Sequence, residues 1–269
     1  MTFGDKGGII KNMSIKIILS GCTGAMGSTL LEVLKEDNEI TVVAGVCNSV
    51  NTNFEFPVYN KFSDINEEAD IIIDFSSKYL LNDILEYADR KNIKLVLATT
   101  GYSNYDEEKI FCMSRKVAVF RSSNMSIGVN SIIKVIEHAT RLLGQGYDIE
   151  IIETHGNKKI DAPSGTAKMI LSSIKNNISY NPNIVYNREG VLSGRKKTDI
   201  GIHSIRGGNI FGNHTVMFVG DEDIIKIEHI TLSKKIFAKG AINAAKFIAD
   251  KTKGYYNVDD LVNISDGGK

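Results

Sequence analysis

The stretch that decides the fold lies near the start of the chain and runs Ile15-Lys16-Ile17-Ile18-Leu19-Ser20-Gly21-Cys22-Thr23-Gly24-Ala25-Met26-Gly27. Its apolar run has the length of a buried strand, and it leads into a loop with three glycines. Glycines allow a tight turn and a close approach to pyrophosphate, and the amides of a following helix favour a phosphate anion. The stretch therefore predicts the opening unit of a dinucleotide-binding domain. A purely structural turn is the alternative, because the spacing is G-x-x-G-x-x-G and not G-x-G-x-x-G.

Short β-branched runs alternate with longer amphipathic stretches through the first half of the chain. This alternation predicts parallel strands joined by crossover helices, which is the α/β class with a Rossmann-type doubly wound sheet. The predicted helices lie near residues 25–36, 79–91 and 105–116. The predicted strands are Ile15 to Ser20, Ile40 to Val46, Asp70 to Phe75, Lys94 to Thr99 and Val117 to Arg121.

The pattern changes after a predicted helix over Ile132 to Leu143. Strand-like runs then follow with few helices between them, at Asp148 to Thr154, Gly201 to Arg206, His214 to Val219 and Ile224 to Thr231. We therefore predict a smaller mixed α+β domain over residues 127–235, and a dinucleotide-binding domain made of residues 13–126 and 236–269. A helix over Ala238 to Asp250 is expected to pack back on that first domain. Residues 176–200 are expected to be irregular, and residues 1–12 to be a flexible leader.

The composition excludes several classes of function. Lys plus Arg and Asp plus Glu both count 32, so no net charge favours nucleic acid or an anionic membrane. The three cysteines show no C-x-x-C spacing, which argues against a disulfide framework and against a metal site. No apolar run approaches the roughly 20 residues that span a bilayer. A cytoplasmic enzyme acting on a small molecule fits these properties best.

Two further loops are candidates for contact with the cofactor. At the end of the second strand, dinucleotide enzymes place an acid for the ribose of NAD or a base for the 2′-phosphate of NADP. This chain has the uncharged Cys47 and Asn48 there, so NADH and NADPH both stay open, and Cys47 is also typical of a small buried residue. The fourth strand ends in Ala98-Thr99-Thr100-Gly101, whose hydroxyls could contact the nicotinamide half or could belong to an ordinary turn.

The most informative segment is Glu153-Thr154-His155-Gly156-Asn157-Lys158-Lys159-Ile160-Asp161-Ala162-Pro163-Ser164-Gly165-Thr166-Ala167. Its end predicts a helix from Thr166 to Ile174, with the amides of Ser164, Gly165 and Thr166 as an anion site. Lys159 could supply a cation for a carboxylate substrate. His155 could deliver a proton at neutral pH. Each of these residues alone is more often structural or solvated, and the combination indicates a substrate site.

A second cluster joins two predicted strands and runs Ser204-Ile205-Arg206-Gly207-Gly208-Asn209-Ile210-Phe211-Gly212-Asn213-His214. Its three glycines predict a tight hairpin near the site. Arg206 or His214 could contact ligand, and a structural loop is an equal alternative. His138, His203 and His229 have no such surroundings and are assigned no chemistry.

From Met13 onwards, the chain resembles the dihydrodipicolinate reductase family over essentially its whole length. Five blocks in the same order carry the resemblance: Gly21 to Gly27, Ala98 to Gly101, Ser123 to Asn130, Glu153 to Ala167, and Arg206 to His214. The string Lys159-Ile160-Asp161-Ala162-Pro163-Ser164-Gly165-Thr166-Ala167 is highly specific to that family.

The resemblance implies reduction of hydroxytetrahydrodipicolinate, a small cyclic dicarboxylate, with NADH, NADPH or both, in lysine and diaminopimelate biosynthesis. It implies that His155 and Lys159 are the catalytic pair that handles protons, and that Ser164 to Thr166 clamp a substrate carboxylate. A homotetramer assembled through the sheets of the second domain is also implied. The cofactor-binding residues that it implies are Gly21, Thr23, Gly24, Ala25, Met26, Gly27, Asn48, Ala98, Thr99, Thr100, Ser123, Asn124, Met125 and Lys234.

The chain departs from the family pattern in three places. Family members typically carry two adjacent histidines where this chain has His155-Gly156, and the lost donor predicts substrate binding weaker by roughly 1 to 3 kcal/mol. They often carry an acid or base at Cys47-Asn48, and an arginine at Lys234. A diverged nucleotide-binding protein with weak or no reductase activity is the competing hypothesis. Another small-acid dehydrogenase is disfavoured by the string that starts at Lys159.

Overall fold

The computed structural model describes residues 14–48, 53–190 and 194–265 of the chain. They form two compact units, and the predicted leader over residues 1–12 lies outside them. The first unit comprises the described residues up to Ser123 together with Ala241–Asn257, and the second comprises Asn124–Gly240 and the described residues from Val258 onwards. None of the described helices is both long and apolar enough to cross a membrane.

The first unit is built on a seven-stranded sheet in which every paired strand is parallel to its neighbour, in the order β12-β6-β5-β4-β1-β2-β3. The strand order reverses at β1, which pairs with β2 on one side and β4 on the other. Ligands of open α/β sheets bind at such a switch point, beyond the carboxyl ends of the strands. The strands are β1 (Ile15–Ser20), β2 (Ile40–Val46), β3 (Val58–Tyr59), β4 (Ile71–Asp74), β5 (Lys94–Leu97), β6 (Ala118–Arg121) and β12 (Gly254–Tyr256).

Helices cover both faces of this sheet, as its continuous apolar strands require. Ile71, Ile72 and Ile73 of β4 are all fully buried, so neither face of the strand meets solvent. The ring of Phe120 on β6 packs edge-to-face against Phe247. The helices of this unit are α1 (Ala25–Leu34), α2 (Leu81–Lys91), α3 (Asn104–Met113) and the final part of α6 (Lys235–Ile248).

The second unit has a five-stranded mixed sheet in the order β11-β10-β7-β9-β8. One face carries alternate apolar side chains that pack against two helices, as in Ile149 and Ile151 of β7 with Ile136 and Ile170. The strands are β7 (Asp148–His155), β8 (Asn183–Val185), β9 (Asp199–Arg206), β10 (Gly212–Val219) and β11 (Ile224–Thr231), and the helices are α4 (Ile127–Leu143), α5 (Gly165–Lys175) and α7 (Val258–Ser265).

The predicted fold class is confirmed, and the differences concern short or terminal elements. Residues 176–200 are not wholly irregular, because they contain β8 and the start of β9. Placing all of residues 236–269 in the first domain was wrong, because α7 belongs to the second unit, where Asp259 pairs with Lys134 of α4 at 3.2 Å. Three strands, β3, β8 and β12, escaped prediction because each has only two or three residues, too few to show alternation.

Candidate active site

A buried carboxylate, Glu153 of β7, is the centre of a hydrogen-bond network in the second unit. The side chain is 0% exposed. Arg206 at the end of β9 donates to both of its oxygens, from Nη1 to Oε2 at 2.9 Å and from Nη2 to Oε1 at 2.7 Å. The backbone amide of Ser164 donates to Oε1 at 3.1 Å, and His155 Nδ1 lies 2.6 Å from Oε2. One carboxylate therefore connects three separate segments of the chain.

The electrostatic balance keeps Glu153 ionised. Burial raises the pKa of this carboxyl, but hydrogen bonds from Arg206, Ser204 and His155 outweigh it and bring the pKa to about 2. The Glu153 carboxylate in turn raises the pKa of Arg206. A charged pair of this kind is stable in the interior because each partner also satisfies the other's hydrogen bonds.

Two histidine rings from neighbouring strands meet beside this carboxylate. The rings of His155 and His214 lie 5.2 Å apart, edge to face. His214 is 4% exposed, and its Nε2 lies 2.9 Å from Ser164 Oγ. Burial, followed by the nearby His155, lowers the pKa of His214 to about 4. His214 is therefore neutral near pH 7, and its Nδ1 is a buried atom with no hydrogen-bond partner among the described residues.

Ser164 begins α5 and is tied to its surroundings at three points. Its Oγ accepts a hydrogen bond from the Ala167 amide at 3.2 Å, which is an ordinary N-cap. Its own amide is held by Glu153, and its hydroxyl contacts His214. Because the cap uses the Ala167 amide, the first-turn amides of Gly165 and Thr166 are left without a helical acceptor. An anion could therefore bind to these amides, and the anion site stays a prediction.

Lys159 lies in the turn between β7 and α5. Its Nζ pairs with Asp161 Oδ1 at 2.6 Å, and its side chain is 27% exposed. The hydrogen bond to Lys159 lowers the pKa of Asp161. The Ala162–Pro163 peptide bond that follows is cis. This turn holds a positive charge on the same connection that leads to the Ser164 amide.

Gly156 is hydrogen-bonded to the loop that connects β9 to β10. Its amide donates to the Ile210 carbonyl at 2.8 Å, and a Cβ atom built on it would lie 3.2 Å from the Gly208 carbonyl. The tight hairpin predicted over Ser204 to His214 is wrong, because β9 and β10 pair with opposite edges of β7 and not with each other. Residues 207–211 instead form a loop that crosses the end of β7 beside His155. A side chain at position 156 would crowd two backbone carbonyls.

In the first unit, the glycine loop between β1 and α1 has the geometry that a phosphate requires. Gly21 has φ +81°, and a Cβ there would lie 2.8 Å from the Phe75 carbonyl. A Cβ on Gly27 would lie 2.3 Å from the Gly21 carbonyl. Gly24 is the N-cap of α1 and provides no side-chain cap, and the first turn has no acidic residue. The loop thus closes on itself and leaves the α1 amides free for an anion.

The predicted cofactor segments after β5 and β2 lie at the carboxyl ends of their strands, which is the edge of the sheet that also carries the glycine loop. Ala98 and Thr99 are buried after β5, and Arg121 Nη1 donates to the Thr99 carbonyl at 3.0 Å. Thr99 Oγ1 is a buried hydroxyl with no partner among the described residues. Asn48 is exposed at the end of β2, beside the buried Cys47.

Comparison with known proteins gives a family. The model described as "Dihydrodipicolinate reductase, N-terminus" matches residues 15–125, and that described as "Dihydrodipicolinate reductase, C-terminus" matches residues 128–262. The chain belongs to the dihydrodipicolinate reductase family.

Relatives in this family are similar to the chain over nearly their whole length. The 4-hydroxy-tetrahydrodipicolinate reductase of Clostridium tetani is 40% identical over 93% of this chain and 98% of the relative. That of Caldanaerobacter subterraneus subsp. tengcongensis is 41% identical, over 93% and 99% respectively. A solved dihydrodipicolinate reductase from Paenisporosarcina sp. TG-14, with dipicolinate bound, has a TM-score of 0.78 at 19% identity and covers 93% of this chain and 100% of that chain, which shows the shared fold.

Within this family fold, the structure brings together some of the predicted site residues. His155 and Ser164 meet through Glu153, and Asn124, predicted to bind the cofactor, donates to Thr166 Oγ1 at 3.2 Å. For the other predicted cofactor residues the structure gives the position within each one's own element. Thr23 and Ala25 are exposed and Met26 is half-buried around the start of α1, Thr100 and Ser123 are exposed after β5 and β6, Met125 is buried before α4, and Lys234 is exposed before α6.

The sequence does not predict the residue at the centre of this hydrogen-bond network. In the sequence analysis Glu153 opens the substrate segment and has no role of its own. The sequence does contain a signal, because Glu153 continues the alternate spacing of Ile149 and Ile151. In the structure these three residues share one face of β7 and are fully buried. An acid at an inward position of a strand needs buried partners. The sequence leaves the roles of Arg206 and His214 open between ligand contact and structure. In the structure Arg206 bonds to Glu153 directly, and His214 is connected to Glu153 through Ser164.

Proposed function

We propose that the chain is an NAD(P)H-dependent 4-hydroxy-tetrahydrodipicolinate reductase that forms tetrahydrodipicolinate in lysine and diaminopimelate biosynthesis. The observation that supports it best is that His155 and the Ser164 helix start are both bonded to Glu153, with Lys159 on the connection between them, in a chain of this family. This set contains a proton carrier, a cation and an anion site on one connection, which are the groups that a cyclic dicarboxylate needs.

The glycine loop fits the nicotinamide dinucleotide that the family implies. Gly21 and Gly27 occupy places where a side chain would collide with backbone, and the α1 amides are not capped by any side chain. In our proposal the loop from Gly21 to Gly27 holds the pyrophosphate, and the Ala98 to Thr100 and Ser123 to Met125 segments hold the nicotinamide half. The cofactor, when bound, supplies the hydride.

The residues of the second unit have separate tasks in this proposal. The Gly165 and Thr166 amides bind one carboxylate of the substrate. Lys159 neutralises negative charge of the substrate and assists proton handling. To do so it exchanges its ion pair with Asp161 for contact with the substrate. His155, held at Nδ1 by Glu153, uses Nε2 to deliver the proton that completes reduction. Because proton delivery by a positioned group contributes about 10²- to 10⁴-fold, the loss of His155 should be visible in turnover.

We further propose that the enzyme accepts both NADH and NADPH. Asn48 is exposed and uncharged, so it neither repels a 2′-phosphate as an acid would nor attracts one as a base would. The two apparent KM values should therefore lie within about tenfold of each other, a difference of about 1.4 kcal/mol. A preference of about 10³-fold for either cofactor would contradict this proposal.

We propose a cytoplasmic homotetramer, assembled through the face of the five-stranded sheet that α4 and α5 leave uncovered. Ile205 of β9 and Ile230 of β11 point to this face and are 50% and 54% exposed. Apolar side chains on an uncovered sheet face favour burial against another subunit.

The test is a coupled assay in which dihydrodipicolinate synthase generates the substrate from pyruvate and aspartate semialdehyde. Loss of reduced nicotinamide is followed by absorbance, with NADH and NADPH in separate runs. We expect turnover that requires the synthase, and a loss of about 10²-fold or more in His155→Ala. His138→Ala, at an exposed position on α4, is the matched control. A folded protein that binds NADH but shows no turnover with either cofactor would instead indicate a diverged nucleotide-binding protein.

A further inference from the structure

We propose that Glu153 is a positioning residue that fixes the tautomer of His155 and, with its other oxygen, holds the substrate-binding start of α5. The inference rests on the proposed function for its catalytic consequence, since it assigns Glu153 to the same site. Glu153 is buried, so it acts through His155 and Ser164 and is not expected to contact the substrate.

The direction of the hydrogen bonds carries the argument. Two Arg206 nitrogens and the Ser164 amide are obligate donors, and all three point at the Glu153 carboxylate. A carboxylate accepts hydrogen bonds and donates none when ionised. His155 Nδ1, 2.6 Å from Oε2, must therefore be the protonated nitrogen of the neutral ring. This leaves Nε2 free to take up a proton from water, and the imidazolium so formed delivers that proton to the substrate from Nε2 while Nδ1–H stays bonded to Glu153.

The two oxygens of Glu153 bind different groups of the site. Oε2 receives His155 Nδ1 and Arg206 Nη1, and Oε1 receives the Ser164 amide and Arg206 Nη2. The first pair of contacts governs the proton carrier, and the second governs the amides proposed to bind a carboxylate. A disturbance at Glu153 should therefore affect kcat through His155 and KM through Ser164.

Glu153→Gln is the sharpest perturbation because it keeps the shape of the side chain. The amide of glutamine brings two donors into a position where four donors converge, so one of its ends must face a donor whichever way it is turned. If the NH2 group faces His155, Nδ1 must accept its hydrogen bond and the neutral ring carries its proton on Nε2. The variant then disfavours the imidazolium that delivers a proton from Nε2, because the Nδ1–H of that imidazolium would face the NH2 group.

The other groups around His155 do not offer an alternative anchor for Nδ1. His214 on β10 meets the ring edge to face and uses Nε2 for Ser164. Arg206 on β9 is bound to Glu153 and to the Asp161 carbonyl, at 2.7 Å. Lys159 is paired with Asp161, and His229 of β11 stands opposite His214. The described residues thus place one acceptor, Glu153, at His155 Nδ1.

The kinetic test is a double-mutant cycle in the full-length enzyme with the coupled assay. We expect Glu153→Gln to lower kcat by about 10²-fold or more and to raise KM. In a His155→Ala background, the same substitution should leave kcat within about threefold, because the ring through which Glu153 acts is absent, yet it should still raise KM. If the kcat losses multiply in the double variant, Glu153 has only a structural role and the proposal fails.

The matched control is Glu150→Gln, three residues earlier on β7. Glu150 also pairs with an arginine, Arg188, and with a histidine, His203, whose Nε2 lies 2.8 Å from Oε2, but it lies on the opposite face of the sheet. We expect kcat and KM of Glu150→Gln to match the wild type at the same oligomeric state. An equal loss in both variants would indicate general damage to the strand and would overturn the assignment.

A spectroscopic readout tests the tautomer without relying on activity. The chain has five histidines, so ¹⁵N-histidine labelling followed by long-range ¹H–¹⁵N correlation gives few signals, and His155→Ala identifies the relevant one. We expect the neutral His155 ring of the wild type to carry its proton on Nδ1. A wild-type ring protonated on Nε2 would overturn the proposal, even if Glu153→Gln does not fold. Absence of turnover in the wild type with the Nδ1–H tautomer present would count against the proposed reaction and not against Glu153.

Discussion

The burial of His214 should make the fold sensitive to mild acid. Burial, followed by the nearby His155, lowers the pKa of His214 from 6.5 to about 4. Below about pH 6.5 the unfolded chain takes up a proton at this residue, whereas the folded chain resists it until about pH 4. Stability rises with pH wherever the unfolded state binds more protons, so the free energy of unfolding should fall as the pH is lowered through this window.

The size of the effect follows from the two pKa values. At about pH 4.5 the difference in proton binding amounts to about 2.5 kcal/mol, and at about pH 7 it is close to zero. A loss of this size is a large part of the roughly 5 to 15 kcal/mol by which a folded domain is stable. His214→Asn removes the titration, and its amide can still bond to Ser164 Oγ. The variant should therefore lose about 2.5 kcal/mol less than the wild type between these pH values.

The assay is urea unfolding at a fixed protein concentration, because any change of oligomeric state would alter the apparent stability. Wild type, His214→Asn and His138→Asn are compared at about pH 7 and about pH 4.5. His138 is exposed on α4, so its variant serves as the control for removal of a histidine. Equal acid losses in wild type and His214→Asn would refute the reasoning that burial keeps His214 neutral.

Three further outcomes are expected from the structure. Gly27→Ala should weaken NADH and NADPH binding by about tenfold or more in calorimetry, since its Cβ would lie 2.3 Å from the Gly21 carbonyl, while Gly146→Ala, which meets nothing within 4 Å, should leave both affinities unchanged. Lys159→Met should lower kcat by roughly 10²-fold in the coupled assay, and unchanged kinetics would remove it from the proposed proton pathway. Ile230→Asp should reduce the mass measured by light scattering after gel filtration, since a charge on the proposed tetramer face is costly to bury, and an intact tetramer would place the interface elsewhere.

The fold was accessible from the sequence wherever an element is long and periodic. The predicted bounds of β1 and β2 match the observed ones, because each strand is mostly apolar and rich in β-branched residues. β8 was missed because it contains only three residues at the edge of its sheet. α7 was assigned to the wrong domain because periodicity shows that a helix has an apolar side and does not show which surface covers it. Lys134 of α4, which pairs with Asp259, lies far from it in the chain.

In the candidate site, too, local features could be predicted from the sequence and contacts between distant segments could not. Groups that act from one connection, such as Lys159 and Ser164, could be recognised because the turn and helix start that hold them are local. The role of Glu153 can be recognised only when β9 is known to pair with β7, because Arg206 of β9 bonds to Glu153 across this parallel pair of strands. The same contact changes the meaning of Gly156, which sequence reasoning treats as a missing donor and the structure shows pressed against the Gly208 carbonyl. The loop between β9 and β10 thus occupies the space that a second histidine at position 156 would need, so the loss of that donor and the close packing of this loop are two sides of one substitution.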